Sequence, residues 1–202
     1  MTSPTSASPF RDPASELAAF VDDYQRSGDV GTLLDQLKAL AKRSSPDLLK
    51  AASQSYREMP EVVIPLYERI VADSPDDAQS MVVLANAYWL TGRGPDVVSE
   101  LASRAKKVDA SNRGAWHLWA LAESDLRKRT NRWHEVTKHF PSDQLARAAL
   151  ADNATSLAND ESDPVALKLA IATYESLLAE SKATAQKLAL EQTLKTLRTF
   201  KV

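Results

Sequence analysis

One set of apolar and small residues recurs down the chain at a nearly constant distance, and it limits the fold more than any other feature. At offsets 0, 3, 4 and 7 from a lead residue stand Leu17, Phe20, Val21 and Tyr24, then Leu49, Ala52, Ser53 and Tyr56, then Met81, Leu84, Ala85 and Tyr88. The set continues as Trp116, Trp119, Ala120 and Glu123, and then as Arg147, Leu150, Ala151 and Ala154. Successive leads stand 32, 32, 35 and 31 residues apart. Offsets of 3, 4 and 7 share one face of an α-helix, and a fixed period of about 20–50 residues marks a stacked supersecondary unit. Between these helices a second stripe at offsets 0, 4 and 7 reads Leu33, Leu37, Leu40; Val63, Tyr67, Ile70; Val98, Ala102, Ala105; and Leu167, Ile171, Tyr174. A small residue at the third place of the first set lets two helix axes approach closely. The ring at the fourth place fills the space between hairpins.

Punctuation agrees with helices. Proline at a first helical position loses no hydrogen bond, and Pro13, Pro46, Pro60, Pro95 and Pro164 each stand where an apolar helical pattern begins. The spacing predicts helices over 13–27, 30–43, 46–58, 60–73, 76–91, 95–108, 112–128, 131–139, 142–158, 164–180 and 183–200. Pro65 lies inside one of them and predicts a bend or a late start there. Only 5 of 202 residues are Gly, where about 7% is ordinary, which leaves little for the turns of a sheet. Gly28 and Gly92 fall at turns, and Gly31 and Gly94 near the following helix starts. With no Cys there is no disulfide framework, cysteine nucleophile or thiolate metal site. The first dozen residues, rich in Ser, Thr and Pro, are expected to be a flexible tail. They have neither the basic flank nor the apolar run of a secretory signal, and no apolar stretch approaches the roughly 20 residues of a membrane span. The expectation is a soluble, cytoplasmic protein with no membrane contact.

The stretch from Glu61 to Gly92 carries a family resemblance. Glu61 to Ile70 followed by Asp73-Ser-Pro-Asp-Asp77, and then Ala78 to Gly92, is similar to a second helix, a closing Asp-Pro turn, a first helix and a Gly turn of the tetratricopeptide repeat family. Ser45-Pro-Asp47 and Pro141-Ser-Asp143 repeat the turn. The likeness runs from about residue 13 to 180 and weakens after Asp143, with Glu123 and Arg147 at places the family fills with apolar groups. It implies an all-α, right-handed superhelical solenoid of antiparallel hairpins. Hairpins are expected over 13–45, 46–75, 76–110, 111–141 and 142–182, closed by a capping helix over 183–202 with Leu190, Leu194 and Leu197 on its inner face.

Candidate chemistry is sparse. His134 and His139 are five residues apart, so their rings diverge by about 140° on a helix and do not meet on one ion. No metal or cofactor is expected, and no catalytic residue. Arg127, Lys128, Arg129 and Arg132, followed by Trp133, form a possible anion contact. They also fit a helix C-terminus, where the macrodipole favours cations. A net charge of −2 makes nucleic acid the least favoured partner. Trp116, Trp119 and Trp133 read as core.

The resemblance further implies a concave groove, lined by first helices, that holds a peptide or helix of another protein. Offsets 1, 5 and 8 place Lys50, Gln54 and Arg57, then Val82, Asn86 and Trp89, then His117, Leu121 and Ser124 on that face. The two amides suit a peptide backbone, the cations suit acids, and Trp89 suits an anchor role. A non-enzymatic interaction scaffold is the leading expectation; an assembly subunit or homo-oligomer is the alternative.

Overall fold

The computed structural model describes residues 12–200, so the expected tail lies outside the described residues except for Asp12. Eleven α-helices and one short 3-10 turn account for the regular structure of that span, with no strand among the described residues. They fall into two compact units, one ending at Gly92 and the other starting at Arg93. The division cuts the expected hairpin 76–110.

The first unit contains α1 (Pro13–Ser27), α2 (Val30–Arg43), α3 (Pro46–Ser53), α4 (Pro60–Asp73) and α5 (Ala78–Leu90). α1 packs on α2 and α3, α2 on α4, α3 on α4, and α4 on α5. α1 on α3 and α2 on α4 thus stack first helix on first and second on second, as successive hairpins require. The second unit contains α6 (Pro95–Val108), α7 (Arg113–Leu121), α8 (Leu126–His139), α9 (Gln144–Glu161), α10 (Pro164–Glu180) and α11 (Thr184–Leu197), each packed on the next.

Local sequence explains the ends. All five marked prolines open a helix. Asp29, Asp77, Asp125, Asp143 and Asp163 cap helices by accepting backbone N–H groups of the first turn, satisfying donors that the helix itself leaves open. Gly28 ends α1 at φ 71°, where its N–H donates to the Tyr24 carbonyl. A side chain there would be strained.

The third place of the periodic stripe lies in the core. There Val21, Ser53, Ala85, Ala120 and Ala151 are all no more than 2% exposed. The stripe on α10 is shifted by one residue from expectation: Ala166, Ala170, Tyr174 and Leu177 are buried, whereas Leu167 and Ile171 are only partly so. Burial first, and then Asp152, pushes the Tyr174 phenol up to about 12. Its hydroxyl donates to Asp152 Oδ1 at 2.5 Å. Three helix boundaries differ from expectation by five residues or more. α3 stops at Ser53 and continues only as the 3-10 turn Gln54–Tyr56, and Pro60 holds Met59 out of the helical region, at φ −110° and ψ 92°. α7 ends at Leu121 rather than near 128, and α8 is a full 14 residues long instead of the short 131–139. α4 starts at Pro60 and runs through Pro65 to Asp73, so there is no late start.

Tyr67, at the centre of α4, is 1% exposed, and its hydroxyl has no hydrogen-bond partner among the described residues. Losing water without a replacement bond costs free energy. Tyr67→Phe is therefore expected to raise unfolding free energy by about 1 kcal/mol, measured as a higher urea midpoint at unchanged slope; a lower midpoint would show that the hydroxyl is satisfied.

Candidate functional site

The face expected to meet a partner divides into residues held by the chain and residues left to solvent. In the first unit Lys50 is held: its Nζ donates to Asp77 Oδ2 at 2.5 Å. Asp77 caps α5 by accepting from Ser80 N and Ser80 Oγ at 3.0 and 2.7 Å. Burial would raise the Asp77 pKa, but Lys50 and Ser80 outweigh it and hold the carboxyl below its ordinary value. The same hydrogen bond raises Lys50. Lys50 thus joins the first helix of one hairpin to the cap of the next. Gln54, Arg57, Asn86 and Trp89 are exposed, the indole at 39%, and Val82 is half-buried. Gln54 lies in the 3-10 turn that follows α3 and Arg57 just beyond it, both with right-handed helical backbone angles.

The second unit repeats the device with different residues. His117 on α7 stands where Lys50 stands on α3, one residue after the lead. Its Nε2 is 2.7 Å from Asp143 Oδ2, and Asp143 caps α9 through Leu145 N and Ala146 N at 3.1 and 3.2 Å. The His117 ring also meets Trp133 edge-on, with centroids 5.3 Å apart. Leu121 is exposed at the end of α7.

Three of the four cations of the basic run are engaged within the chain. Arg127 pairs with Glu161 at 2.5 Å and Asp163 at 2.9 Å. Arg129 donates to Asn153 Oδ1 and to the Glu123 carbonyl at 2.7 and 2.9 Å. Arg132 pairs with Glu123 at 2.7 Å and donates to the Trp119 carbonyl at 2.7 Å; Lys128 is exposed. The run occupies the opening turns of α8, not a helix C-terminus, so the macrodipole opposes these cations and carboxylates from neighbouring elements offset it. Glu123 and Arg147, the two charged departures from the stripe, make ion pairs: Arg147 holds Glu180 with two nitrogens at 2.6 and 2.5 Å.

Of the three indoles expected in the core, only Trp133 is fully buried. Trp116 and Trp119 are half-buried and meet edge to face at 5.7 Å. Lys106 Nζ lies 3.2 Å from the Trp119 ring centre and 4.1 Å from that of Trp116, and Arg132 covers Trp119 at 4.8 Å. Such contacts join cation to π-face. Burial pushes the Lys106 pKa down, Glu135 opposes it, and Arg132 adds to it. His139 stacks on Trp116 at 4.5 Å, and its Nε2 lies 2.9 Å from the Ala110 carbonyl. His134 lines a different groove with Thr137 and Arg147; burial and Lys138 lower its pKa against Glu135. No group of three or more His, Asp or Glu is placed to hold a metal ion among the described residues.

No family model matches the chain, and no curated protein is similar to it in sequence. Solved structures are similar in fold. The structure of MamA superposes with a TM-score of 0.58 over 85% of this chain and 97% of that one, at 13% identity. The tetratricopeptide repeat protein TTC0263 of Thermus thermophilus gives 0.52 over 93% and 100%, at 17% identity. A MamA RS-1 variant gives 0.55 over 91% and 97%, at 14% identity. No helix among the described residues is long and apolar enough to cross a membrane. The helical order and the buried third place of the repeating stripe agree with these neighbours, and the chain folds as a tetratricopeptide-like helical repeat protein.

Proposed function

We propose that this chain is a non-enzymatic interaction scaffold that holds an extended segment of another protein against the first helices of its first unit. The observation that carries this reading is the pattern of exposure on α5 and beside α3. Asn86 and Trp89 lie five and eight residues after the buried lead Met81 and face solvent, while the stripe on the same helix is buried. A partly exposed indole presents a large apolar surface at small entropic cost, the kind of residue that dominates interface energy. The amides of Asn86 and Gln54 supply the donor and acceptor pair that a peptide backbone needs, and Arg57 supplies a cation for an acidic side chain. Lys50 and His117, occupied by Asp77 and Asp143, act instead as positioning residues that fix one hairpin against the next.

Affinity capture with the wild type and with an Asn86→Ala/Trp89→Ala double variant tests the reading. The expected result is a bound protein retained by the wild type and weakened at least about 30-fold in the variant, the scale of a lost hot spot. Both side chains are exposed, so the circular dichroism spectrum should not change. Equal capture by both proteins would place the site elsewhere. Substrate turnover abolished by changing His134 or Glu135 would overturn the scaffold reading itself.

A further inference from the structure

The second unit ends in a surface whose charges match a copy of themselves. α11 covers α10 with Leu194 and Leu197, both buried, and Leu190, partly buried. Beside this seam lies a groove of about 430 Å³ with Leu178, Ala179 and Leu194 among its lining residues. Glu191 and Lys195 form part of its rim, and neither has an ion-pair or hydrogen-bond partner among the described residues. An ion pair of Arg198 with Glu175 at 2.7 Å joins the two helices there. Leu188, one turn before Glu191, is 61% exposed.

Helical geometry puts Leu188, Glu191, Lys195 and Arg198 in one stripe, at spacings of 3, 4 and 3. We propose that α11 pairs antiparallel with α11 of a second copy about a two-fold axis at the level of residue 193. A two-fold interface is isologous, so each contact occurs twice with the roles exchanged. At this register Glu191 of each copy opposes Lys195 of the other, giving two ion pairs. Leu188 of each copy comes to the level of Arg198 of the other, beside the apolar groove that starts at Leu194. The patch thus supplies both knob and hole, and both signs of charge. Its residues all belong to the second unit, whereas Asn86 and Trp89 belong to the first, and the proposal does not depend on the scaffold reading.

Sedimentation equilibrium of the full chain, with Glu191→Lys, Lys195→Glu and the double exchange, tests the proposal. The wild type is expected to dimerise. Each single exchange sets like charges opposite one another twice, and should weaken the dimer about tenfold. The double exchange restores both pairs and should recover wild-type association. Asn86→Ala/Trp89→Ala should dimerise as the wild type does. A wild type that stays monomeric, a dimer indifferent to the single exchanges, or a double exchange that recovers nothing would each overturn it. The first of these would leave the groove to a helix of some other protein.

Discussion

Trp133→Ala is expected to lower the unfolding free energy by about 3–5 kcal/mol, the range for removing a buried indole from a packed core. The ring is 5% exposed and lies in one cluster with Ala120, Val136, Ala146 and Leu150. That cluster joins α7, α8 and α9. Two of its members are alanines at helix contacts, and they cannot grow to fill the space. The cavity therefore stays open, and its cost adds to the lost transfer free energy. Domains are stable by only about 5–15 kcal/mol, so this one change removes about a fifth of the largest such total and nearly all of the smallest. With a urea slope of about 2 kcal/mol per molar, the midpoint should fall by about 2 M. Trp119→Ala provides the comparison. Its ring is half-buried and held by Lys106 and Arg132, so the loss should be smaller. A Trp133→Ala midpoint equal to that of the wild type would show that the cluster contributes little.

Helix starts are legible wherever proline marks them, and the fold follows from the period of the first stripe. The failures have identifiable causes. Ala122 and Leu126 keep helical spacing across the turn between α7 and α8, and that turn has neither Gly nor Pro. Asp125, whose carboxylate accepts from Lys128 N, is the one signal that a new helix begins there. Without it the basic run falls at the end of α7 instead of the start of α8. On α10 nearly every position from Val165 to Ala172 is apolar, so periodicity alone does not choose between registers one residue apart. The candidate site is legible only in part. Spacing puts Lys50 and Asn86 on equivalent faces, but it does not reveal that an aspartate from the next hairpin takes the lysine. A signal for that capture does exist. Asp77 and Asp143 each stand four residues before a lead, Met81 and Arg147, while Lys50 and His117 each stand one residue after the preceding lead. In a stack of hairpins those two places become neighbours.

That juncture gives the second large effect. Asp143→Ala is expected to destabilise the chain by about 2–3 kcal/mol. It removes a helix cap, worth about 0.5–2 kcal/mol, and leaves the half-buried His117 ring without its acceptor. Asp143→Asn separates the two contributions, because asparagine also caps helices well, and should cost about 1 kcal/mol. The two variants also predict a dependence on pH. Burial would raise the Asp143 pKa, but Ala146 N–H, His117 and Arg113 outweigh it and hold the folded carboxyl below its ordinary value. A carboxyl with a depressed folded pKa adds stability above its unfolded pKa, about 3.9, and loses it as pH falls through the folded value. The stability gap between wild type and Asp143→Asn should therefore be full at about pH 5 and above, and close on acidification below about pH 4. Denaturant midpoints of the two proteins, measured across that range, check the sign. A gap that widened in acid would mean that the folded carboxyl binds its proton more readily than the unfolded one, and that burial, not the cap and His117, governs Asp143.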